Sequence, residues 1–172
     1  MSVCLSDTAV VLSGGLHDNP QSGGTWTDLN ATGQLSNGIF NASGVVPGTY
    51  HFLYTVHGNG PCPNDTASVA VTVAAELDAG DDASTTLCAS EFVFLTPYLG
   101  GAPQPGGIWT GVESQVGLFN GWLNAGLAGV GLHHYRYVIA GTSSCAPDTA
   151  ILTVTILNGP HAGGDVTIIT CS

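Results

Sequence analysis

The chain has 172 residues, of which 12 are acidic and only one, Arg136, is a lysine or arginine, so its formal net charge is 1 − 12 = −11. This charge excludes a nucleic-acid-binding surface, which needs several cations to displace counterions from phosphates. No apolar run reaches the length of about 18 residues that spans a bilayer, so direct membrane insertion is not expected.

Between residues 1 and 77 the sequence predicts short β-strands separated by turns. In the clearest strand, three aromatic residues and a valine alternate with His51, Leu53 and Thr55, and a period of two places one set on the core face. A later strand alternates valine with small or polar residues in the same way. A tryptophan preceded by two glycines is predicted to be a large core residue. The positions that carry this pattern are Val10, Leu12, Trp26, Tyr50, Phe52, Tyr54, Val56, Val69, Val71 and Val73.

The same pattern recurs after residue 78 with an offset of 83 residues. Two pairs depart from this offset. Cys4 and Cys88 differ by 84 positions, and Phe40 and Phe119 differ by 79, which indicates a deletion and a compensating insertion in the middle loops. The pairs that keep the offset are Leu12 and Leu95, Trp26 and Trp109, Tyr54 and Tyr137, and Cys62 and Cys145.

This repeat predicts an all-β chain of tandem immunoglobulin-like β-sandwiches with a period of about 83 residues. Repeat 1 spans residues 1–77, with a truncated N-terminal strand, and repeat 2 spans residues 78–158. Residues 159–172 repeat the start of the second copy, including its Ala-Gly pair and its cysteine. They are predicted to be the first strand of a truncated third repeat.

The five cysteines predict disulfides in an oxidising, extracellular compartment. Pairing within each repeat gives Cys4–Cys62 and Cys88–Cys145, and it is preferred because each repeat then carries one full pair. An objection to it is that parallel first and last strands would place these partners at opposite ends of a sandwich. Pairing across the repeat junctions gives Cys62–Cys88 and Cys145–Cys171, and this alternative stays open.

Several short motifs together resemble the tandem Ig-like or PKD-like repeats of giant Bacteroidota cell-surface proteins. They are the cysteine before a Val/Leu strand, Gly-Gly-x-Trp, Pro-Gly-Thr-Tyr at 47–50, Cys-x-x-Asp-Thr-Ala at 62–67 and Ala-Gly-x-Asp at 79–82. The resemblance covers essentially the whole chain, although the second copy has Val-Gly-Leu-His at 130–133 in place of Pro-Gly-Thr-Tyr. It includes adhesins that the type IX system secretes and the gliding machinery displays.

The resemblance implies a location at the cell surface and a type of modification. Bacteroidota O-glycosylate secreted proteins at Asp-Ser/Thr followed by a small or aliphatic residue. This chain has three Asp-Thr-Ala triplets, whose threonines are Thr8, Thr66 and Thr149. An Asp-Thr pair that merely starts a strand is the alternative, since Asp suits turns and Thr suits strands.

No catalytic motif emerges from the sequence, so no enzyme activity is predicted. The chain lacks a Gly-x-Ser-x-Gly elbow and a phosphate-binding loop. No cofactor is expected, with calcium as one candidate ion: Asp78, Asp81 and Asp82 cluster at the repeat junction, and oxygen-rich linkers can bind this hard cation. Only Asp82 recurs in the next copy, as Asp165.

The function predicted is structural and adhesive, with the repeats strung together as a stalk, fibre or filament. The expected partners are neighbouring repeats of the same chain, other copies in a filament, and glycans. One alternative is a carbohydrate-binding module, for which Trp122 is the candidate sugar-stacking residue, because Ile39 replaces it at the offset of 83. A second alternative is a viral Ig-like fibre or decoration module.

Overall fold

A computed structural model describes residues 1–161 and 163–164, and most of this part of the chain is β-strand and turn. It divides into two compact units: Met1–Leu77 with Ala140–Asp148, and Asp78–Ile139 with the chain from Thr149 onward. The division at residue 77 coincides with the boundary predicted from the sequence. The loop at 140–148 belongs to repeat 2 by sequence but is part of the first unit. The predicted third repeat lies mostly outside the described residues.

Repeat 1 has seven strands in two sheets. The four-stranded sheet has the order β1-β7-β6-β3 and consists of β1 (Ser2–Cys4), β3 (Thr25–Asp28), β6 (Gly48–Val56) and β7 (Asp65–Ala74). The three-stranded sheet has the order β2-β5-β4 and consists of β2 (Val10–Val11), β4 (Leu35–Ser36) and β5 (Ile39–Phe40). Strand β1 runs parallel to β7, whereas the other pairs are antiparallel. Short 3₁₀ helices occupy Leu12–Gly15 and Ala42–Gly44.

Repeat 2 has the same arrangement. Its four-stranded sheet, β10-β13-β14-β8, consists of β8 (Ala83–Cys88), β10 (Ile108–Gly111), β13 (Gly131–Ile139) and β14 (Asp148–Leu157). Its three-stranded sheet, β11-β12-β9, consists of β9 (Phe92–Phe94), β11 (Leu118–Phe119) and β12 (Trp122–Asn124). A 3₁₀ helix (Thr96–Tyr98) and a four-residue helix α1 (Ala125–Ala128) complete it. Strand β8 runs parallel to β14. The predicted all-β, immunoglobulin-like sandwich is therefore confirmed. Among the described residues, no helix has the length and apolar content to cross a membrane.

The predicted alternation of the long strands describes the core correctly. The predicted inward-facing residues of β7 and β14 are buried, and those of β6 and β13 are buried except Tyr50, Val56 and His133, which are half-buried. One core cluster in repeat 1 draws side chains from both sheets. Trp109 is 9% exposed, and its indole nitrogen donates a hydrogen bond to Thr96 Oγ1 at 3.0 Å. Trp26 packs against the core of repeat 1 but is only partly buried, and Ser13 and Val11 stand at the positions that match Thr96 and Phe94.

The two glycines before each tryptophan have a steric explanation. In repeat 2, Gly106 has a φ of 97°, and a Cβ on Gly107 would overlap the ring of Tyr137. The hydroxyl of Tyr137 accepts a hydrogen bond from the Gly107 N–H at 2.8 Å and donates one to the Gln104 carbonyl at 2.7 Å. Repeat 1 has the same set in Gly23, Gly24, Tyr54 and Gln21. The Gly-Gly-x-Trp motif therefore marks the place where a buried tyrosine anchors the turn.

The offset of 83 holds through the middle of the repeats, which corrects the predicted match of Phe40 with Phe119. Each repeat has an Asn-Gly turn, at 37–38 and at 120–121, and both residues of each turn have positive φ. This is the signature of a type I′ hairpin, which joins two strands directly. Two residues after each turn come Phe40 and Leu123, both fully buried and both in the middle strand of their sheet. Leu123 is therefore the counterpart of Phe40.

The offset of 84 at the first cysteine comes from one additional residue in repeat 1. The carbonyl of Asp7 accepts a hydrogen bond from the N–H of Ala42, and the carbonyl of Glu91 accepts one from Ala125 in the same way. Asp7 thus matches Glu91 with an offset of 84, whereas the strands that follow match with 83. The additional residue lies at 8–9.

Candidate functional site

A disulfide bond joins Cys4 to Cys145, with their Cα atoms 5.0 Å apart and a sequence separation of 141. Cys4 is the last residue of β1, and Cys145 lies in the loop between β13 and β14. Both are buried. By sequence, the bond ties the first strand of repeat 1 to a hairpin loop of repeat 2.

Local hydrogen bonds position both cysteines. The parallel pairing of β1 with β7 places Cys4 opposite Ala74, and the N–H of Cys4 donates to Asp7 Oδ2 at 2.8 Å. In the loop, the N–H of Cys145 donates to Thr142 Oγ1 at 3.0 Å, and the Thr142 N–H donates to the Cys145 carbonyl at 2.9 Å. These two hydrogen bonds between Thr142 and Cys145 fix the position of Cys145 in the loop.

The preferred within-repeat pairing is wrong for Cys4 and Cys62. Cys4 lies beside Ala74 at the end of β7, whereas Cys62 precedes Asp65 at its start. The nine residue steps between those ends correspond to about 30 Å, far beyond the reach of a disulfide. The objection raised by parallel first and last strands was the correct physical argument.

The other predicted pairs are not present either. Cys88 lies opposite Leu157, at the far end of β14 from the loop of Cys145, so the same separation excludes Cys88–Cys145. The cross-junction scheme fails because Cys62 and Cys88 are both outside any disulfide and Cys145 is bonded to Cys4. Cys171 lies outside the described residues. Spacing in the sequence could not reveal a bond between positions 141 apart.

The two thiols outside the bond differ in their surroundings. Cys62 is exposed in the loop between β6 and β7, and Cys88 is half-buried at the end of β8. The Ser90 hydroxyl donates a hydrogen bond to Cys88 Sγ at 3.4 Å, and this bond, with one from the Ser90 backbone, lowers the pKa of the Cys88 thiol. A lowered pKa increases the fraction of the reactive thiolate.

The three junction aspartates do not converge on a cation site. Asp82 Oδ1 accepts the Ile151 N–H at 2.7 Å, and Asp78 Oδ1 accepts the Gly80 N–H at 2.8 Å. Asp81 pairs through its backbone with a neighbouring loop. Within the described part of the chain, no three His, Cys, Asp or Glu side chains gather as metal ligands. Two of these carboxylates bind nearby backbone N–H groups instead, so the acidic cluster in the sequence does not become a calcium cage.

The three candidate glycosylation residues, Thr8, Thr66 and Thr149, are all exposed. Thr66 and Thr149 are the second residues of β7 and β14 and occupy equivalent positions. Thr8 lies at the one-residue insertion of repeat 1.

A cluster of exposed aromatic rings lies on the three-stranded sheet of repeat 2. Trp122 stacks on Phe92 with ring centroids 5.2 Å apart and contacts Phe94 at 5.4 Å. Phe119, which is 75% exposed, pairs with Trp122 across the strands. We call these four residues the aromatic patch. Trp122 is 44% exposed and is the first residue of strand β12.

The aromatic patch has no counterpart in repeat 1, where the positions matching Phe94, Phe119 and Trp122 are Val11, Ser36 and Ile39. The sequence prediction found only Trp122. The missed signal was the run Phe92-Val93-Phe94: Val93 pairs with the buried Leu123, so its two neighbours must point to the opposite face.

A groove of about 320 Å³ adjoins the aromatic patch, with Phe94, Ile108 and Trp109 among its lining residues. Repeat 1 has a groove at the matching place, about 520 Å³ in volume, where Thr25 replaces Ile108 and Trp26 replaces Trp109. Both volumes fall in the range of small-ligand sites. Phe94 of β9 lines the groove of repeat 2, whereas no residue of β2, the matching strand, lines the groove of repeat 1.

Comparisons with known proteins do not identify a family. No protein-family model matches the sequence, and no curated protein matches it significantly. Among solved structures, the chain is similar to human protocadherin-24 EC1-2, with a TM-score of 0.41 and 14% identity, over 93% of this chain and 94% of that one. This identity and TM-score are too low for any property of that protein to be carried over.

Proposed function

We propose that the chain is a structural and adhesive segment of a large extracellular surface protein, in which disulfides tie successive repeats into a stalk or filament. The observation that carries this proposal is the Cys4–Cys145 bond. It closes a covalent loop over most of two repeats.

The bond changes the path of force through the chain. Tension applied at the two ends crosses from Cys4 directly to Cys145, so the 140 residues between them (145 − 4 − 1) bear no load. Both repeat cores are largely built from those residues. The two tryptophan-containing strands and both Asn-Gly hairpins therefore cannot be extended by tension while the bond is intact.

Other features support an extracellular location. A disulfide between buried cysteines persists in oxidising compartments and is rare in the cytosol. The three exposed Asp-Thr-Ala threonines would accept O-linked glycans, as in the Bacteroidota surface proteins that the sequence resembles. Secretion by the type IX system and display on the cell surface follow from that resemblance and form part of the proposal.

Single-molecule force measurements test the structural role. With handles at the two ends, the oxidised chain should lengthen by about 480 Å less on unfolding than the C4S/C145S variant, since 140 residues at about 3.4 Å each stay inside the loop. The C62S/C88S variant loses as many cysteines but keeps the bond, so it should behave like the unmodified chain. Equal extension of all three chains would overturn the proposal.

A second candidate function is carbohydrate binding, which the aromatic patch favours. Exposed contiguous apolar surface marks interaction sites, and flat aromatic faces suit the apolar faces of sugar rings. On a glycan array, W122A should lose the binding that the unmodified chain displays. V116A, which alters another exposed apolar residue of repeat 2, is the matched control. If the unmodified chain binds no glycan, this candidate is removed.

A further inference from the structure

We propose that Cys62 and Cys88 each form, with a neighbouring module, the same kind of disulfide that joins Cys4 to Cys145. This inference rests on the array proposed above. In this scheme, the strand-end cysteine of each repeat bonds to the hairpin-loop cysteine of the next repeat. Cys88 bonds to the loop cysteine of a following module, and Cys62 bonds to the strand-end cysteine of a preceding module. The partner in each case is a second module of this same kind.

Cys88 has the backbone environment of Cys4. The residue after each cysteine donates its N–H to the last strand: Leu5 to the Ala74 carbonyl at 3.0 Å, and Ala89 to the Leu157 carbonyl at 2.9 Å. Each cysteine N–H also donates to the carboxylate three residues on, Asp7 or Glu91. Cys88 therefore occupies in repeat 2 the position that Cys4 occupies in repeat 1.

Cys62 has the position of Cys145. Each lies in the hairpin loop between the two long strands of its repeat, three residues before the aspartate that begins the last strand, Asp65 or Asp148. Cys145 is buried and bonded, whereas Cys62 is exposed and outside any disulfide. Equivalent positions carrying equivalent cysteines, one pair bonded and the other open, point to one bonding rule for the whole array.

The chemistry needs an oxidant of the small-molecule disulfide class, such as oxidised glutathione. The Cys88 thiolate attacks one sulfur of that disulfide and releases one small thiol. The loop-cysteine thiolate of the next module then attacks Cys88 Sγ, forms the junction disulfide and releases the second thiol, while the protons of both cysteines pass to solvent or to the released thiols. The hydrogen bond from Ser90 lowers the pKa of the Cys88 thiol and so favours the first step.

The test is a longer chain in which an additional copy of residues 76–158 follows Asn158, with T86S and S144T in the added copy so that its cysteine peptides differ in mass from the original ones. Because Asn158 matches Ala75 at the offset of 83, this insertion keeps the repeat in register. After oxidation with glutathione, alkylation and peptide mapping, we expect Cys88 linked to the inserted copy of Cys145. The longer chain should have one more disulfide and no additional free thiol.

The C88S variant of the longer chain is the control, and its inserted loop cysteine should become alkylatable. The inference is overturned if Cys88 stays alkylatable, or if it links to Cys62 or to Cys171. If the Cys4–Cys145 bond forms in those cases, the inference alone fails. If the original chain also lacks that bond, the proposed function fails with it.

A second measurement covers the case in which the longer chain does not fold. The original chain is prepared as C62S/C171S and as C88S/C171S, and the two are mixed under the same oxidant. We expect dimers that link Cys88 to Cys62 in clear excess over random pairing. Random proportions of the three possible dimers, or no dimers, would overturn the inference.

Discussion

The two repeats share a scaffold and differ in what they present to solvent. Both have the tyrosine-anchored Gly-Gly turn, the Asn-Gly hairpin and a parallel pairing of first and last strands. The aromatic patch, in contrast, exists only in repeat 2. The comparison teaches that the shared positions maintain the fold, whereas the exposed faces of the two repeats have diverged in chemical character.

A single position illustrates a second difference. In repeat 1 the His51 N–H donates to Asn30 Oδ1 at 2.7 Å, and in repeat 2 the His134 N–H donates to Glu113 Oε2 at 3.0 Å. Glu113 also contacts His134 Nδ1 at 2.6 Å. The same backbone interaction is thus kept with a neutral amide in one repeat and with a titratable carboxylate in the other.

The largest expected effect separates the two tryptophans. Trp109→Ala should lower the free energy of unfolding of repeat 2 by about 3–5 kcal/mol, because it empties a buried site and removes the hydrogen bond to Thr96. Trp26→Ala should cost repeat 1 clearly less, since Trp26 is only partly buried. Urea denaturation followed by far-UV circular dichroism measures both. Equal costs would mean that the two tryptophans contribute alike.

The next effect tests the feature that the repeats share. Gly107→Ala should destabilise repeat 2 by about 1–3 kcal/mol, because the new methyl group would overlap the Tyr137 ring. Gly24→Ala should act similarly on repeat 1 through Tyr54. Gly14→Ala is the control, since no atom lies near its added methyl group and its φ is not positive. Thermal unfolding distinguishes the three, and tolerance of Ala at 107 would contradict the anchoring role of the tyrosine.

The smallest effect concerns acid. Hydrogen bonds from the His134 ring and backbone lower the pKa of Glu113 from its ordinary value of 4.5. Its stabilising contribution is therefore complete above that value and is lost as pH falls through the lowered pKa. With Glu113→Gln, repeat 2 should lose less stability than the unmodified chain between neutral pH and about pH 3. The measurement is a series of urea midpoints against pH, and an unchanged acid response would contradict the assignment.

Repeat 1 offers the matched variant for this pH series. Burial opposes ionisation of Asp28, but hydrogen bonds from the Thr32 side chain and from the local backbone outweigh it and lower the pKa of Asp28. The position equivalent to Asp28 in repeat 2 is Gly111. Asp28→Asn should therefore reduce the acid sensitivity of repeat 1 and leave that of repeat 2 unchanged.

The fold was predictable from the sequence because strand alternation and an internal repeat are local signals of burial. The offset of 83 even located the tyrosine and tryptophan of each core. The predicted match of Phe40 with Phe119 was wrong because it rested on both residues being aromatic. The Asn-Gly turns at 37–38 and 120–121 give the correct register, in which Phe40 matches Leu123. The cysteine pairing was beyond reach, since it depends on which strands lie parallel and on a loop that meets a strand 141 positions away.

The most direct test of the account is the identity of the partner of Cys4 in the oxidised chain. Unreduced protein is digested with pepsin in acid, where protonated thiols do not exchange with disulfides, and the linked peptides are sequenced by mass spectrometry. We predict one peptide pair that joins Cys4 to Cys145. A peptide pair that joins Cys4 to Cys62 would contradict the crosslink between repeats and the function proposed from it.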